Sequence, residues 1–216
     1  MRLFLASSEL GNFPNRLRRL AGSNRRVLII RNARDYRPED YVASILGDKT
    51  ALFLEYGFDP QVLDLRQFFD RPGALEEYLD QYDPGIIYCL GGNPFILNAA
   101  LSMSGMDKII RRALLADAIV YAGESAGIMV AVGDMSPYMR DDGFTPDSSL
   151  ELYGKKSPMA GLGLIDFYPI PHTNRGELKE KTDYLIRRIE SIRRRPMLMN
   201  DSDVYVVDGR KAELLR

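Results

Sequence analysis

The sequence predicts an α/β fold: a single-domain three-layer sandwich with a mostly parallel central sheet between helices. Three observations carry this expectation. Short apolar runs alternate with amphipathic ones along the chain, the pattern of a parallel sheet covered by helices on both faces. Runs such as Val27-Leu-Ile-Ile30 are continuously apolar, as strands buried on both faces require. A length of 216 residues suits one large α/β domain around one sheet.

The elements follow in order. A first strand is expected at residues 3–6, inside Met1-Arg-Leu-Phe-Leu-Ala6, an apolar stretch too short for a signal peptide. Further strands are expected at 26–31, 61–65, 85–90 and 118–122. Helical patterns fall between them at about 14–21, 38–56, 74–82 and 107–115. In the last, positions 109, 110, 113 and 114 make one apolar stripe. Residues 133–158 are rich in Asp, Gly, Ser, Pro and Tyr without periodicity, and read as a long surface loop. A strand at 163–169, a charged helix at 177–193 and closing strands with a hairpin turn at Asp208-Gly209 complete the chain. No internal repeat or linker divides it.

Composition narrows the classes of function. The chain is 45% apolar and 27% charged, with 29 Lys and Arg against 30 Asp and Glu, a net charge of −1. That balance exerts no global pull toward nucleic acid or membrane. Local basic runs such as Arg193-Arg-Arg195 read as solvated helix faces. No stretch approaches the length of a transmembrane helix. One cysteine excludes an intrachain disulfide and a cysteine metal cage, and Cys89, inside Gly85-Ile-Ile-Tyr-Cys-Leu90, reads as a small buried hydrophobe. The expectation is a cytoplasmic, reduced, soluble protein, monomer or homodimer, with no nucleic-acid or membrane partner. No His/Asp/Glu cluster has ligand spacing, so neither a metal nor an organic cofactor is expected.

Three segments carry chemistry. In Tyr121-Ala-Gly-Glu-Ser-Ala-Gly127 the pattern Gly123-x-Ser125-x-Gly127 falls between a strand-like run and a helix start at 125–132, the setting of a nucleophile elbow. Such a turn strains the serine backbone and aims helix N–H groups, Ala126 first, at an oxyanion. Leu90-Gly91-Gly92-Asn93-Pro94 also lies past a strand end, so it shares the crevice in which parallel sheets bind ligands. Gly91 or Gly92 can supply a second oxyanion donor and Asn93 a substrate contact; Asn93 also suits a helix cap with Pro94 in the first position. The chain has one histidine, His172, after a strand and two prolines, and it is the natural base for a serine near neutral pH. A carboxylate must hold its tautomer. Asp201, in the bend Asn200-Asp-Ser-Asp203, is preferred, with Asp134 and Asp203 as rivals. Glu124 adjoins the nucleophile but is expected to point elsewhere.

Taken in order, Leu3-Phe-Leu-Ala-Ser-Ser8, Gly91-Gly-Asn93 with Phe95, Gly123-Glu-Ser-Ala-Gly127, Pro171-His172 and Asp201-Ser-Asp-Val-Tyr-Val-Val-Asp-Gly209 resemble the serine peptidases of the aspartyl dipeptidase (dipeptidase E) and cyanophycinase family. The resemblance spans nearly the whole chain. It implies a class I glutamine amidotransferase-like fold with serine at the elbow, Ser125 as nucleophile and His172 as base. The family's late glutamate aligns with Asp201, a shorter carboxylate. Members preferring an N-terminal aspartyl residue carry arginine early in the helix after the histidine; Gly176-Glu-Leu-Lys-Glu-Lys-Thr-Asp-Tyr184 has none, so aspartyl specificity is not expected. The chain also lacks the extra length of a secreted cyanophycinase.

The expected function is therefore a serine hydrolase cleaving short peptides, a dipeptidase or exopeptidase, through an acyl-enzyme on Ser125. A non-catalytic peptide- or amino-acid-binding module on the same fold, or an esterase, is the alternative. Loop 133–158 is a lid in this reading, and its deletion should broaden the accepted peptide length.

Overall fold

The computed structural model describes residues 1–141 and 143–216; residue 142, within the expected lid, lies outside them. The chain runs β1 (Arg2–Ala6), α1 (Pro14–Ala21), β2 (Arg26–Ile30), α2 (Glu39–Glu55), β3 (Asp59–Leu63), α3 (Pro72–Tyr82), β4 (Ile86–Cys89), α4 (Pro94–Ser104), α5 (Met106–Leu115), β5 (Val120–Glu124) and α6 (Ala126–Met129). It continues through α7 (Leu150–Tyr153), β6 (Tyr168–Ile170), α8 (Lys179–Ser191), β7 (Pro196–Leu198), β8 (Val204–Asp208) and β9 (Lys211–Leu215).

The central sheet has the order β3-β2-β4-β5-β1-β8-β9. Its first five strands are mutually parallel, and β8 and β9 close it as an antiparallel hairpin against β1. Successive side chains on a strand point to opposite faces, which explains the continuous apolar runs. Leu3, Leu5, Leu28, Ile30, Ile87 and Cys89 pack on one face with α3, α4, α5 and α8. Phe4, Ala6, Val27, Ile29, Ile86 and Tyr88 pack on the other with α1 and α2. With β4 between β2 and β5, the carboxyl ends of the five parallel strands lie side by side. The segments leaving them converge on one edge, the usual ligand crevice of such sheets.

Four expectations change. The third strand is Asp59–Leu63 rather than 61–65, because the Asp64 side chain accepts from the Arg66 N–H at 3.0 Å and starts a 3-10 turn. The expected strand at 163–169 shrinks to β6, which pairs with β7 outside the central sheet. Ahead of it, the Leu162, Gly163 and Leu164 N–H groups donate to the carbonyls of Val130, Val132 and Ala131 (2.8, 3.0 and 2.8 Å), wrapping the end of α6. That wrapping limits α6 to one turn, where a longer helix over 125–132 was expected. Nor is 133–158 only a surface loop. It contains 3-10 turns at Ser136–Tyr138 and Pro146–Ser149 and helix α7. Met135 and Tyr138 are fully buried, and the Tyr138 hydroxyl donates to the Pro169 carbonyl at 2.9 Å. The charged helix is Lys179–Ser191, preceded by a 3-10 turn, and the hairpin at 208–209 is present.

Candidate active site

Ser125 leaves β5 with φ 49° and ψ −107°, a conformation that a residue with a Cβ holds only under constraint. The constraint is the turn into α6. The Ser125 N–H donates to the Ala6 carbonyl at 3.3 Å, and the Ser125 carbonyl accepts from Ile128 and Met129 at 3.0 and 3.1 Å. Gly127 makes the turn possible. A Cβ at that position would stand 2.3 Å from the Cys89 carbonyl oxygen, so α6 meets β4 backbone to backbone.

The loop after β4 is equally tight. Gly92 has φ 149°, and a Cβ there would lie 2.2 Å from the Ala33 carbonyl oxygen. That same carbonyl accepts the Asn93 N–H at 2.8 Å. Of the two expected oxyanion donors, Gly91 is committed: its N–H donates to Glu124 Oε1 at 3.3 Å. The N–H groups of Gly92 and Ala126 donate to no protein acceptor among the described residues. Asn93 takes the capping role that the sequence also offered. Its Oδ1 accepts from Phe95 and Ile96 (2.9 and 3.4 Å), capping α4, and its Nδ2 donates to the Gly143 carbonyl at 3.0 Å. It lines a neighbouring cavity that lacks Ser125 and His172.

His172 follows β6 and also holds a positive φ, 62°. Its N–H donates to Ser7 Oγ at 2.9 Å, and the buried Ser7 hydroxyl donates to the Met199 carbonyl at 3.1 Å. His172 Nδ1 lies 2.6 Å from Asp201 Oδ1. The other carboxylate oxygen accepts from Arg175 Nε at 2.7 Å. Burial alone would raise the Asp201 carboxyl; the bonds from Arg175 and His172 outweigh it and hold the carboxyl below its usual range. The rival acids turn elsewhere. Asp134 accepts from the Ser136 N–H and hydroxyl (2.9 and 2.7 Å). Asp203 accepts from the Asn200 N–H at 3.0 Å.

Ser125, His172 and Gly92 share the walls of two cavities. One, of about 310 Å³, is charged, with Glu9, Arg34, Asp48, Lys49, Glu124 and Arg175 around it. The other, of about 170 Å³, is mainly apolar, with Met129, Phe144, Ile170, Pro171, Leu178 and Leu185. No hydrogen bond joins Ser125 Oγ to the imidazole among the described residues. Glu124 points into the charged cavity's inner wall, where Lys49 Nζ sits 2.8 Å from its Oε2 and the Tyr88 hydroxyl 3.0 Å away. Burial pushes the Glu124 carboxyl up, but the Lys49 charge prevails and keeps it low and ionised. Cys89, in contrast, is pushed up to about 12 by burial, which leaves it inert as a nucleophile.

The profile of peptidase family S51 matches residues 3–215. This chain belongs to that family. The uncharacterized peptidase Lmo0363 of Listeria monocytogenes is 32% identical over 130 residues, 60% of this chain and 56% of that protein. Lin0382 of Listeria innocua, also an uncharacterized peptidase, is 31% identical over 100 residues, 46% of this chain and 44% of the relative. The matches thus span about half the length of these curated relatives. The crystal structure of a Listeria monocytogenes EGD-e protein provisionally named peptidase E superposes with TM-score 0.74 at 23% identity, covering 100% of this chain and 98% of that one. A peptidase from an acI-B1 actinobacterium superposes with TM-score 0.72 at 16% identity, covering 99% and 86%. Both show that this S51 chain has the peptidase E fold, the α/β architecture read from its sequence.

In this S51 member, Ser125, His172 and Gly92 line one crevice, Ala126 follows the serine at the start of α6, and Asp201 bonds the imidazole from behind. Sequence reasoning missed Ser7, Arg34 and Lys49. For Lys49 a signal existed: it interrupts the stripe Val42, Leu46, Phe53 on α2, and a lysine at a core-facing position requires a buried acid. Among the described residues, no group of three His, Cys, Asp or Glu is placed to hold a metal, and no helix is long and apolar enough to cross a membrane.

Proposed function

We propose that this chain is a serine-type peptidase that hydrolyses short peptides through an acyl-enzyme on Ser125. His172 takes the hydroxyl proton as Oγ attacks the scissile carbonyl, and the N–H groups of Gly92 and Ala126 receive the oxyanion. The imidazolium then gives its proton to the leaving amine. Water, deprotonated by His172, hydrolyses the ester and frees Ser125. Asp201 holds Nδ1, leaving Nε2 for the serine, and stabilises the imidazolium. No metal or organic cofactor has a step in this scheme.

One observation carries the reading: a strained serine and a carboxylate-bonded imidazole line the same cavities. Labelling with a small fluorophosphonate, followed by intact mass, tests it. A single adduct is expected on the wild type, none on Ser125→Ala, and much slower labelling of His172→Ala. The absence of a hydrogen bond between Ser125 and His172 favours a second reading, a peptide-binding module without turnover. No adduct on folded wild type decides for that module. The lid is tested by a point change rather than a deletion, because Met135 and Tyr138 root the segment in the core. Phe144→Ala, at the apolar cavity, should broaden the peptide lengths cleaved; unchanged selectivity in a peptide library rejects the lid.

A further inference from the structure

We propose that Glu124 is a positioning residue for the oxyanion hole: its carboxylate ties down the Gly91 N–H, leaves the Gly92 N–H for the reaction, and is itself neutralised by buried Lys49. This inference rests on the peptidase reading and adds to it the groups that set the second oxyanion donor.

The pair asks for an explanation beyond stability. Both side chains are buried, and replacing such an ion pair by neutral groups of similar volume is often neutral or stabilising. Its place supplies the explanation. Glu124 closes β5 and immediately precedes Ser125. Its Oε2 meets Lys49 Nζ at 2.8 Å and the Tyr88 hydroxyl at 3.0 Å, and its Oε1 accepts the Gly91 N–H at 3.3 Å. The carboxylate thus ties α2 to the loop after β4.

That loop is fixed from outside. The Leu90 N–H donates to the Ile30 carbonyl at 3.1 Å, the Gly91 N–H to Glu124, and the Asn93 N–H to the Ala33 carbonyl at 2.8 Å. Between residues 90 and 93, the Gly92 N–H alone donates to no protein acceptor among the described residues. Two adjacent glycines have little torsional preference of their own, so these bonds decide which N–H faces the crevice. Gly91 also lies against the elbow: a Cβ there would stand 3.0 Å from the Ser125 Cβ and 3.5 Å from the Glu124 Cγ. An ionised carboxylate only accepts hydrogen bonds, which makes it a constant acceptor for Gly91. Its charge would oppose a nearby oxyanion, and the Lys49 ammonium offsets that.

Two double variants remove the buried charges and differ in one atom's role. Lys49→Met/Glu124→Gln keeps an oxygen for the Gly91 N–H, and Lys49→Met/Glu124→Leu does not; Lys49→Met/Glu124→Met is a second apolar version. Urea unfolding selects those that fold. Fluorophosphonate labelling, in which the Oγ–P bond forms as fluoride leaves, is read over a range of probe concentrations to separate kinact from KI. The apolar variant should show kinact roughly 10²- to 10³-fold below the Gln variant, the scale of one oxyanion donor, with KI unchanged. Amide hydrogen exchange reads the loop directly. In the wild type Gly91 should exchange about tenfold more slowly than Gly92, and the apolar variant should lose that difference. Equal kinact in the folded Gln and apolar variants, or equal exchange of Gly91 and Gly92 in the wild type, overturns the proposal. Failure of the wild type to label is a separate result: it removes the peptidase reading, and the exchange rates still decide whether Glu124 holds the loop.

Discussion

Ser125 is held at φ 49° and ψ −107°, a strain of about 1–3 kcal/mol for a residue with a Cβ. Ser125→Gly should therefore raise stability by about 1 kcal/mol in urea unfolding while abolishing the fluorophosphonate adduct. An equal or lower midpoint would mean that the turn is not strained. Asp201→Asn should slow labelling by roughly 10³-fold, since an amide at Nδ1 favours the wrong imidazole tautomer. A rate within threefold of wild type would show that Asp201 is only a turn residue. At this scale the strand-to-helix turn at Ser125 and the strand-end position of His172 were legible from local pattern, while the choice among Asp134, Asp201 and Asp203 was not.

Helix α2 and strand β5 meet through Lys49 and Glu124, whose side chains are 6% and 7% exposed. Removing one partner leaves a buried uncompensated charge, so Lys49→Met should destabilise by about 3–5 kcal/mol. Lys49→Met combined with Glu124→Gln should recover most of that loss, as a double-mutant cycle in denaturant will read. Strict additivity would mean that the two groups do not interact. Gly127→Ala should cost about 3 kcal/mol, because its methyl meets the Cys89 carbonyl rather than a side chain that could move. The strands of the sheet were readable from their apolar runs. The 163–169 segment misled because apolar residues serve equally to wrap α6, and only the position of the Val130–Val132 carbonyls distinguishes the two.

Across the whole molecule, the low-lying carboxyls of Asp201 and Glu124 link stability to pH. Groups depressed on folding contribute stability above their unfolded values and lose it as pH falls through the native ones. Asp35 opposes them, since burial raises its carboxyl. The clean comparison is therefore between wild type and Lys49→Met/Glu124→Gln. Below about pH 4, where ordinary carboxyls protonate, the melting temperature of the wild type should fall more steeply. Parallel curves would show that the buried pair does not supply the acid sensitivity.

The α/β class, the parallel strands and the places of Ser125, Gly92 and His172 follow from local pattern. Burial on two faces demands continuous apolar runs, and tight strand ends demand glycine. Those are short-range constraints written into consecutive residues. The pairing of His172 with Asp201 rather than Asp134 or Asp203, the capture of Gly91 by Glu124 and the commitment of Asn93 to its helix were decided by tertiary structure. Each depends on which of several chemically equivalent groups, distant in sequence, arrives within about 3 Å, the reach of a hydrogen bond, and that outcome is set by the packing of the whole sheet.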